Sequence, residues 1–493
     1  MSIYYGCAHI PGVFVKFRTR LTALLIPLLL SAPLAHAAAA ANAGRSCHLP
    51  GTDEAMRCIK VPVPVDYARP DGAKMDIHVT LAPAFRESAR PDPLFILAGG
   101  PGQAGSDLLD MVENTFRRVR ATRDIVFIDQ RGTGLSGKLD CPSKPEHETM
   151  NDDQLDAEIR NCIAALGKPY AAYTSANAAR DLEQVRRALG YGKVNIWGGS
   201  YGTRLGQAYA RAFPGAVRAL VLDGVAAPDQ VIPVGGRDGQ AALDGLFKAC
   251  ARDASCNQAF PALRAEFDAL VARLGAGPIE VSVADPRTTR PLKTQMTRDR
   301  FLGTVHSVLY SPLDSRRLPF LIHSASQGRW APFIARRNVM GDFAVDGPMA
   351  LVLHMAVICA EDYPRVTPAM AEEDARASQL TAHLLNRLQD VCKAVGAPAV
   401  PYAAPTRIDA PVLMLSGALD PVTPPRRAEA AGKHMAKARH VVVSNAGHGI
   451  SPLGCAPRLL RAFIDQPDQK LDATCLAEIP APTFQVGSAG PHP

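Results

Sequence analysis

Four short apolar runs constrain this 493-residue chain more than any other feature: Leu94–Leu97, Ile125–Ile128, Val194-Asn195-Ile196-Trp197 and Leu220-Val221-Leu222. Each is brief and almost continuously apolar, the pattern of a strand in a parallel sheet covered on both faces. Helix patterns fall between them. Residues 177–189 put Leu182, Val185 and Leu189 on one face, with Gly190 as a stop; residues 201–213 do the same with Leu205, Ala208, Tyr209 and Ala212, and Pro214-Gly215 ends them. Met75, Ile77, Val79 and Leu81 alternate with more polar residues, as in a half-buried strand near a sheet edge. The alternation of strand and helix predicts an α/β fold with a mostly parallel, doubly wound sheet.

The pattern breaks at 228–404. Helical periodicity dominates there, in segments such as 257–274, 297–309 and 368–395, with one strand-like patch at 279–283. Strand signals resume at Val412-Leu413-Met414-Leu415 and Val441-Val442-Val443. A catalytic sheet domain formed by 38–227 and 405–480 is therefore expected, interrupted by a largely helical cap at 228–404. Residues 38–50 read as a frayed, Ala-rich leader, and 481–493, rich in Pro and Gly, as a loose tail.

Lys16, Arg18 and Arg20 precede the apolar run Leu21 to Leu30, and Ala35-His36-Ala37 offers small residues where a signal peptidase reads them. Residues 1–37 are thus expected to be an export signal. The apolar run is too short to span a bilayer comfortably; an uncleaved membrane anchor is the alternative to a signal, and no stable membrane insertion is expected once a signal is removed. Removal takes three cations and no acid, lowering the net charge from +7 to +4. The excess is small and dispersed, unlike the basic stripe of a nucleic-acid binder. Cys7 lies inside the signal. Ten cysteines remain: Cys47, Cys58, Cys141, Cys162, Cys250, Cys256, Cys359, Cys392, Cys455 and Cys475. An even number in an exported chain points to disulfides and to a periplasmic or extracellular location. Sequential pairing would close five modest loops, although spacing alone does not prove it. No Cys-x-x-Cys pair or His cluster suggests zinc, and no metal or cofactor is expected. Nothing in the sequence fixes an oligomeric state.

The chemistry centres on Gly198-Gly199-Ser200-Tyr201-Gly202, a Gly-x-Ser-x-Gly set between a buried strand and an amphipathic helix. Small residues two before and two after Ser200 let strand and helix approach, presenting the serine at a helix N-terminus. A serine nucleophile needs a base, and the base an orienting acid. Asp420 follows the strand around 411–416, and His448, flanked by Gly447 and Gly449, follows 441–443. The order Ser200, Asp420, His448 suits this architecture. Asp223, after the strand at 217–222, is the alternative acid. Gly99-Gly100-Pro101-Gly102 follows the strand at 94–97; the Tyr201 amide and that of Gly99 or Gly100 are the expected oxyanion donors, because Pro101 has no N–H.

Ala98-Gly99-Gly100-Pro101-Gly102, the segment Asp129-Gln130-Arg131-Gly132-Thr133-Gly134-Leu135-Ser136 and Gly198-Gly199-Ser200-Tyr201-Gly202 resemble the prolyl iminopeptidase and secreted tripeptidyl aminopeptidase branch of the α/β-hydrolases. The resemblance covers about 60–226 and 405–476, the latter like the TAP-like C-terminal region. Members usually carry His where this chain has Ala98, a departure that bears on support of the oxyanion loop. The resemblance implies an α/β-hydrolase fold with a cap, a structural role for Asp129 and Arg131, and release of one or a few residues from peptides with a free N-terminus. Such an enzyme must hold an ammonium group. Cys359-Ala360-Glu361-Asp362 resembles the segment that supplies a cap carboxylate in relatives, which makes Glu361 the first candidate anchor and Asp362 the second. A carboxylesterase or lipase on the same scaffold is the competing class, since both reactions pass through an acyl-serine; an ester hydrolase has no need of an amine anchor.

Overall fold

The computed structural model describes residues 44–490, apart from 143, 285–287, 340–348 and 381–383. The expected signal, Cys7, residues 38–43 of the Ala-rich leader and the last three residues lie outside the described residues.

Among the described residues a nine-stranded sheet is built from β1 (Arg45–Cys47), β2 (Met56–Pro64), β3 (Lys74–Ala82), β4 (Leu94–Leu97), β5 (Ile125–Ile128), β6 (Val194–Gly199) and β7 (Val217–Asp223). After a separate hairpin of β8 (Ile279–Ala284) and β9 (Pro291–Met296), β10 (Ile408–Gly417) and β11 (Met435–Val443) complete it. The order is β1-β2-β3-β5-β4-β6-β7-β10-β11. The pairings β1–β2, β2–β3 and β3–β5 are antiparallel, and the rest are parallel. The continuous apolar runs have a direct cause. Phe95, Leu97, Val126 and Leu220 pack into the core on one face, while Leu94, Ile96, Phe127 and Val221 pack into the core on the other. With both faces covered, successive side chains all leave water.

The inserted stretch divides in two. Residues of 243–334 make a core of their own, in which the rings of Phe301 and Phe333 stack at 5.0 Å. The helices Leu351–Glu361 and Leu384–Val395 instead bury Val352, Leu353, Val357, Val391 and Val395 in the same core as the sheet. The first of these helices is apolar nearly all round, so it must be covered on several sides. The disulfide Cys359–Cys392 joins the pair. The remaining disulfides are Cys47–Cys58, Cys141–Cys162, Cys250–Cys256 and Cys455–Cys475.

Four local readings change, the first being that the helical segment expected over 368–395 is two helices, Pro368–Ala377 and Leu384–Val395, with Ser378 extended after the first. The leader is not wholly frayed: Arg45–Cys47 pairs with β2, and Cys47 is bonded to Cys58. The helix expected over 257–274 is broken into Ala254–Ala259 and Leu263–Gly275, because Pro261 cannot continue a helix. The tail is not loose over its described part: Phe484 is buried in the cap core, Arg316 lies over its ring at 4.2 Å, and the Gln485 amide donates to the Arg316 carbonyl at 3.0 Å.

Candidate active site

The site lies at the carboxyl ends of β4, β6, β7, β10 and β11, where open parallel sheets leave a crevice. Ser200 occupies the turn between β6 and the helix Tyr201–Ala212 with φ 53° and ψ −123°, a conformation that costs a non-glycine residue about 1–3 kcal/mol. Its neighbours enforce it. A Cβ on Gly198 would lie 2.4 Å from the Gly202 carbonyl oxygen, and one on Gly202 would lie 2.1 Å from that of Leu97. The Ser200 amide donates to the Asp223 carbonyl at 2.9 Å.

Asp420 is buried after β10 and accepts from the amides of Val422 and Thr423, both at 2.9 Å, and from the Thr423 hydroxyl at 2.7 Å. Its Oδ2 lies 2.8 Å from His448 Nδ1. Burial alone would raise this carboxyl; the charge and hydrogen bond of His448, with the Thr423 bonds, outweigh it and hold the group below the usual range. An ionised Asp420 fixes the His448 tautomer with the proton on Nδ1 and leaves Nε2 as the basic nitrogen. Ser200 and His448 both border the end of β7: the Asp223 carbonyl accepts from the Ser200 amide, and a Cβ on the next residue, Gly224, would lie 3.0 Å from His448 Cε1.

Asp223, the alternative acid, does not hold the imidazole. Its buried carboxylate accepts from the Ile450 amide at 2.8 and 2.9 Å and from the Ser451 amide at 2.7 Å, which pins the turn after His448. The glycine before His448 lets the chain pass close to the backbone of Tyr310. A Cβ on Gly447 would lie 2.4 Å from the carbonyl oxygen of Tyr310, which accepts from the His448 amide at 2.8 Å. The Tyr310 ring stands edge-on to the imidazole at 5.1 Å. Sequence reasoning missed both Thr423 and Tyr310; a hydroxyl three residues after the acid was the one available sign of the former.

A Cβ on Gly99 would lie 3.0 Å from Ser200 Cβ and 3.6 Å from Oγ, so the Gly99–Gly100 loop faces the serine. The Gly99 amide donates to Gln103 Oε1 at 3.3 Å, while the Gly100 and Tyr201 amides have no partner among the described residues. Asp129 and Arg131 are buried and internal. Asp129 accepts from Ser106 and Leu135, and Arg131 forms a bidentate pair with Asp181 at 2.6 Å on both arms.

Glu361 ends the helix Leu351–Glu361 and is half-buried. It accepts from the Ser175 amide at 2.5 Å and from the Ser175 hydroxyl at 2.7 Å, at the first turn of the helix Ser175–Ala188. With its single proton given to the carboxylate, Ser175 Oγ accepts from the Tyr201 hydroxyl at 2.7 Å. The carboxylate is thereby tied to the residue that follows the serine. Burial raises its pKa, partly offset by the Ser175 bonds. Asp362 is a correction: it is fully buried, with both oxygens taken by Arg204 at 3.1 and 2.9 Å. Arg204 also donates to the Gln230 carbonyl at 2.6 Å, so Asp362 closes an internal network and is not presented to a ligand. Among the described residues, no group of three or more His, Cys, Asp or Glu is placed to hold a metal, and no helix is long and apolar enough to cross a membrane.

Sheet order, strand–serine–helix turn and neighbouring imidazole and carboxylate define the class: the protein is a serine hydrolase of α/β-hydrolase fold. Residues 92–269 match the family model described as alpha/beta hydrolase fold, and residues 378–475 match that of the TAP-like protein. The serine protease Hip1 of Mycobacterium tuberculosis is 30% identical over 413 residues, covering 74% of this chain and 76% of that protein. The tripeptidyl aminopeptidase of Streptomyces lividans is 31% identical over 214 residues, 39% of this chain and 40% of the relative. Carboxylesterase B of M. tuberculosis is 28% identical over 281 residues, 52% of each chain. The chain belongs to the TAP-like serine peptidases of the α/β-hydrolase family.

Proposed function

We propose that this peptidase is exported and removes one or a few residues from the free N-terminus of peptides. Ser200 Oγ attacks the scissile carbonyl while His448 Nε2 takes its proton and Asp420 stabilises the imidazolium. The oxyanion is met by the Tyr201 amide and one amide of the Gly99–Gly100 pair. The C–N bond breaks as His448 returns the proton to the leaving amine, and water then cleaves the acyl-serine by the same route.

The observation that carries the exopeptidase reading is Glu361. Its carboxylate is half-buried, fixed by two donors of Ser175, and linked through Ser175 to Tyr201. A carboxylate in such a place suits an ammonium, which adds charge-assisted hydrogen bonds to those already made. An acyl ester would find no use for it. The five disulfides and the signal pattern of residues 1–37 support export.

Glu361→Gln tests the reading, because it keeps the shape and removes the charge. The expected result is a loss of about 10–100-fold in kcat/KM on free-amine peptides, the worth of one charge-assisted bond, and little change on an ester lacking an amine. Equal losses on both substrates would remove Glu361 as the anchor and favour the esterase reading.

A further inference from the structure

The loop after β4 must hold backbone amides near Ser200, yet it has little of its own to hold it. Gly99, Gly100 and Gly102 carry no side chains, and the last two have φ of 104° and 122°. Its internal bonds, the Gln103 amide to the Gly99 carbonyl and the Gly99 amide to Gln103 Oε1, are both long at 3.3 Å. Ala98 offers only a methyl group where an anchoring side chain could stand. Support comes from outside. Gln130 Nε2 donates to the Ala98 carbonyl at 3.1 Å on the sheet side. From the inserted segment, the Ala350 amide donates to the Gly102 carbonyl at 2.9 Å, and His354 Nδ1 lies 2.9 Å from the Pro101 carbonyl. A carbonyl only accepts, so Nδ1 carries the proton in that bond. Burial pushes the His354 pKa down, only partly offset by the Pro101 carbonyl and Asp362, so the neutral imidazole suffices as donor.

We propose that His354 is a positioning residue for the oxyanion loop: its Nδ1–H bond to the Pro101 carbonyl, next to Gly100, sets where the Gly99–Gly100 amides stand relative to Ser200. This rests on the assignment of that loop as oxyanion donor. His354 lies one turn into the helix that ends in Glu361. One rigid element thus steadies the loop at one end and presents the anchor at the other.

The test measures kcat and KM separately for His354→Ala and His354→Asn, on a free-amine peptide and on an ester lacking an amine, with affinity for phenylboronic acid, which forms a tetrahedral adduct on a nucleophilic serine. Removing one direct oxyanion donor costs about 10²–10³ in kcat, so loosening the loop should cost His354→Ala about 10–100-fold in kcat on both substrates. KM should stay within about threefold, and boronate affinity should fall with kcat. Asn places an N–H near the Nδ1 position, and His354→Asn should regain most of the loss. A His354→Ala enzyme with kcat and boronate affinity within about twofold of wild type overturns the proposal, as does a His354→Asn enzyme equally impaired at an unchanged melting temperature. If the boronate fails to bind the wild type, the site assignment itself fails, and the proposal with it.

Discussion

Ser200, Asp420 and His448 stand on strand ends, whereas Glu361 rides on one helix from the inserted segment. The first three are braced by adjacent parallel strands: Asp223 of β7 holds the Ser200 amide with its carbonyl and the turn after His448 with its carboxylate. Trp197 of β6 reaches the same turn through Ser451 at 2.8 Å. Glu361 is braced by Ser175, by the Cys359–Cys392 disulfide two residues away, and by burial of its helix against the sheet core. The sheet side carries what every acyl transfer needs. On the proposed reading, Glu361 is what distinguishes a free-amine substrate from an ester. Damage to the triad should therefore strike all substrates alike, and loss of the Glu361 charge should discriminate among them, whereas His354, on the same helix, belongs by its bond to Pro101 with the first group.

The largest effect expected is from Ser200→Ala. Turnover should fall by about 10⁴-fold or more on peptide and ester together, with the thermal unfolding midpoint unchanged or raised, since a strained position loses nothing by the change. Substantial remaining activity on a wild-type substrate would unseat Ser200 as nucleophile. Next comes Asp420→Asn, which leaves His448 without its ionised partner: a loss of about 10³–10⁴-fold in kcat on both substrates is expected, with KM little moved. Loss on one substrate only would break the division between the two sides.

How far this division could be read from the chain follows the same physics. Ser200, Asp420 and His448 could be picked out because each follows an apolar run that marks a strand of the sheet, buried in β6 and β10 and at the exposed edge in β11, and because their order along the chain suits that sheet. Asp223 was ambiguous because it also ends a strand; only its bonds to Ile450 and Ser451 reveal a bracing role. Glu361 and Asp362 are neighbours at a helix end, and the direction of each side chain decides between them. Asp362 turns inward to Arg204, and Glu361 turns to Ser175. No periodicity encodes that choice. Thr423 and Tyr310 act on His448 through tertiary proximity, and the hairpin partner β9 and the docked Phe484 depend on a cap core with no regular strand–helix rhythm to announce it.

A smaller, sharper effect concerns pH. Burial raises the Glu361 pKa above its ordinary 4.5, so this group takes up a proton at a higher pH than an exposed glutamate. Only the ionised form attracts an ammonium. KM for a free-amine peptide should therefore rise on acidification, beginning above the ordinary glutamate range, while KM for an ester without an amine stays flat. Parallel pH profiles for the two KM values would contradict this account of Glu361.

The most direct measurement is to incubate the wild-type protein with one peptide in two forms, free and N-acetylated, and to read the products by mass. The free peptide should be shortened from its N-terminus by one or a few residues, and the acetylated form should survive. Internal cleavage of both forms at similar rates would contradict the exopeptidase reading.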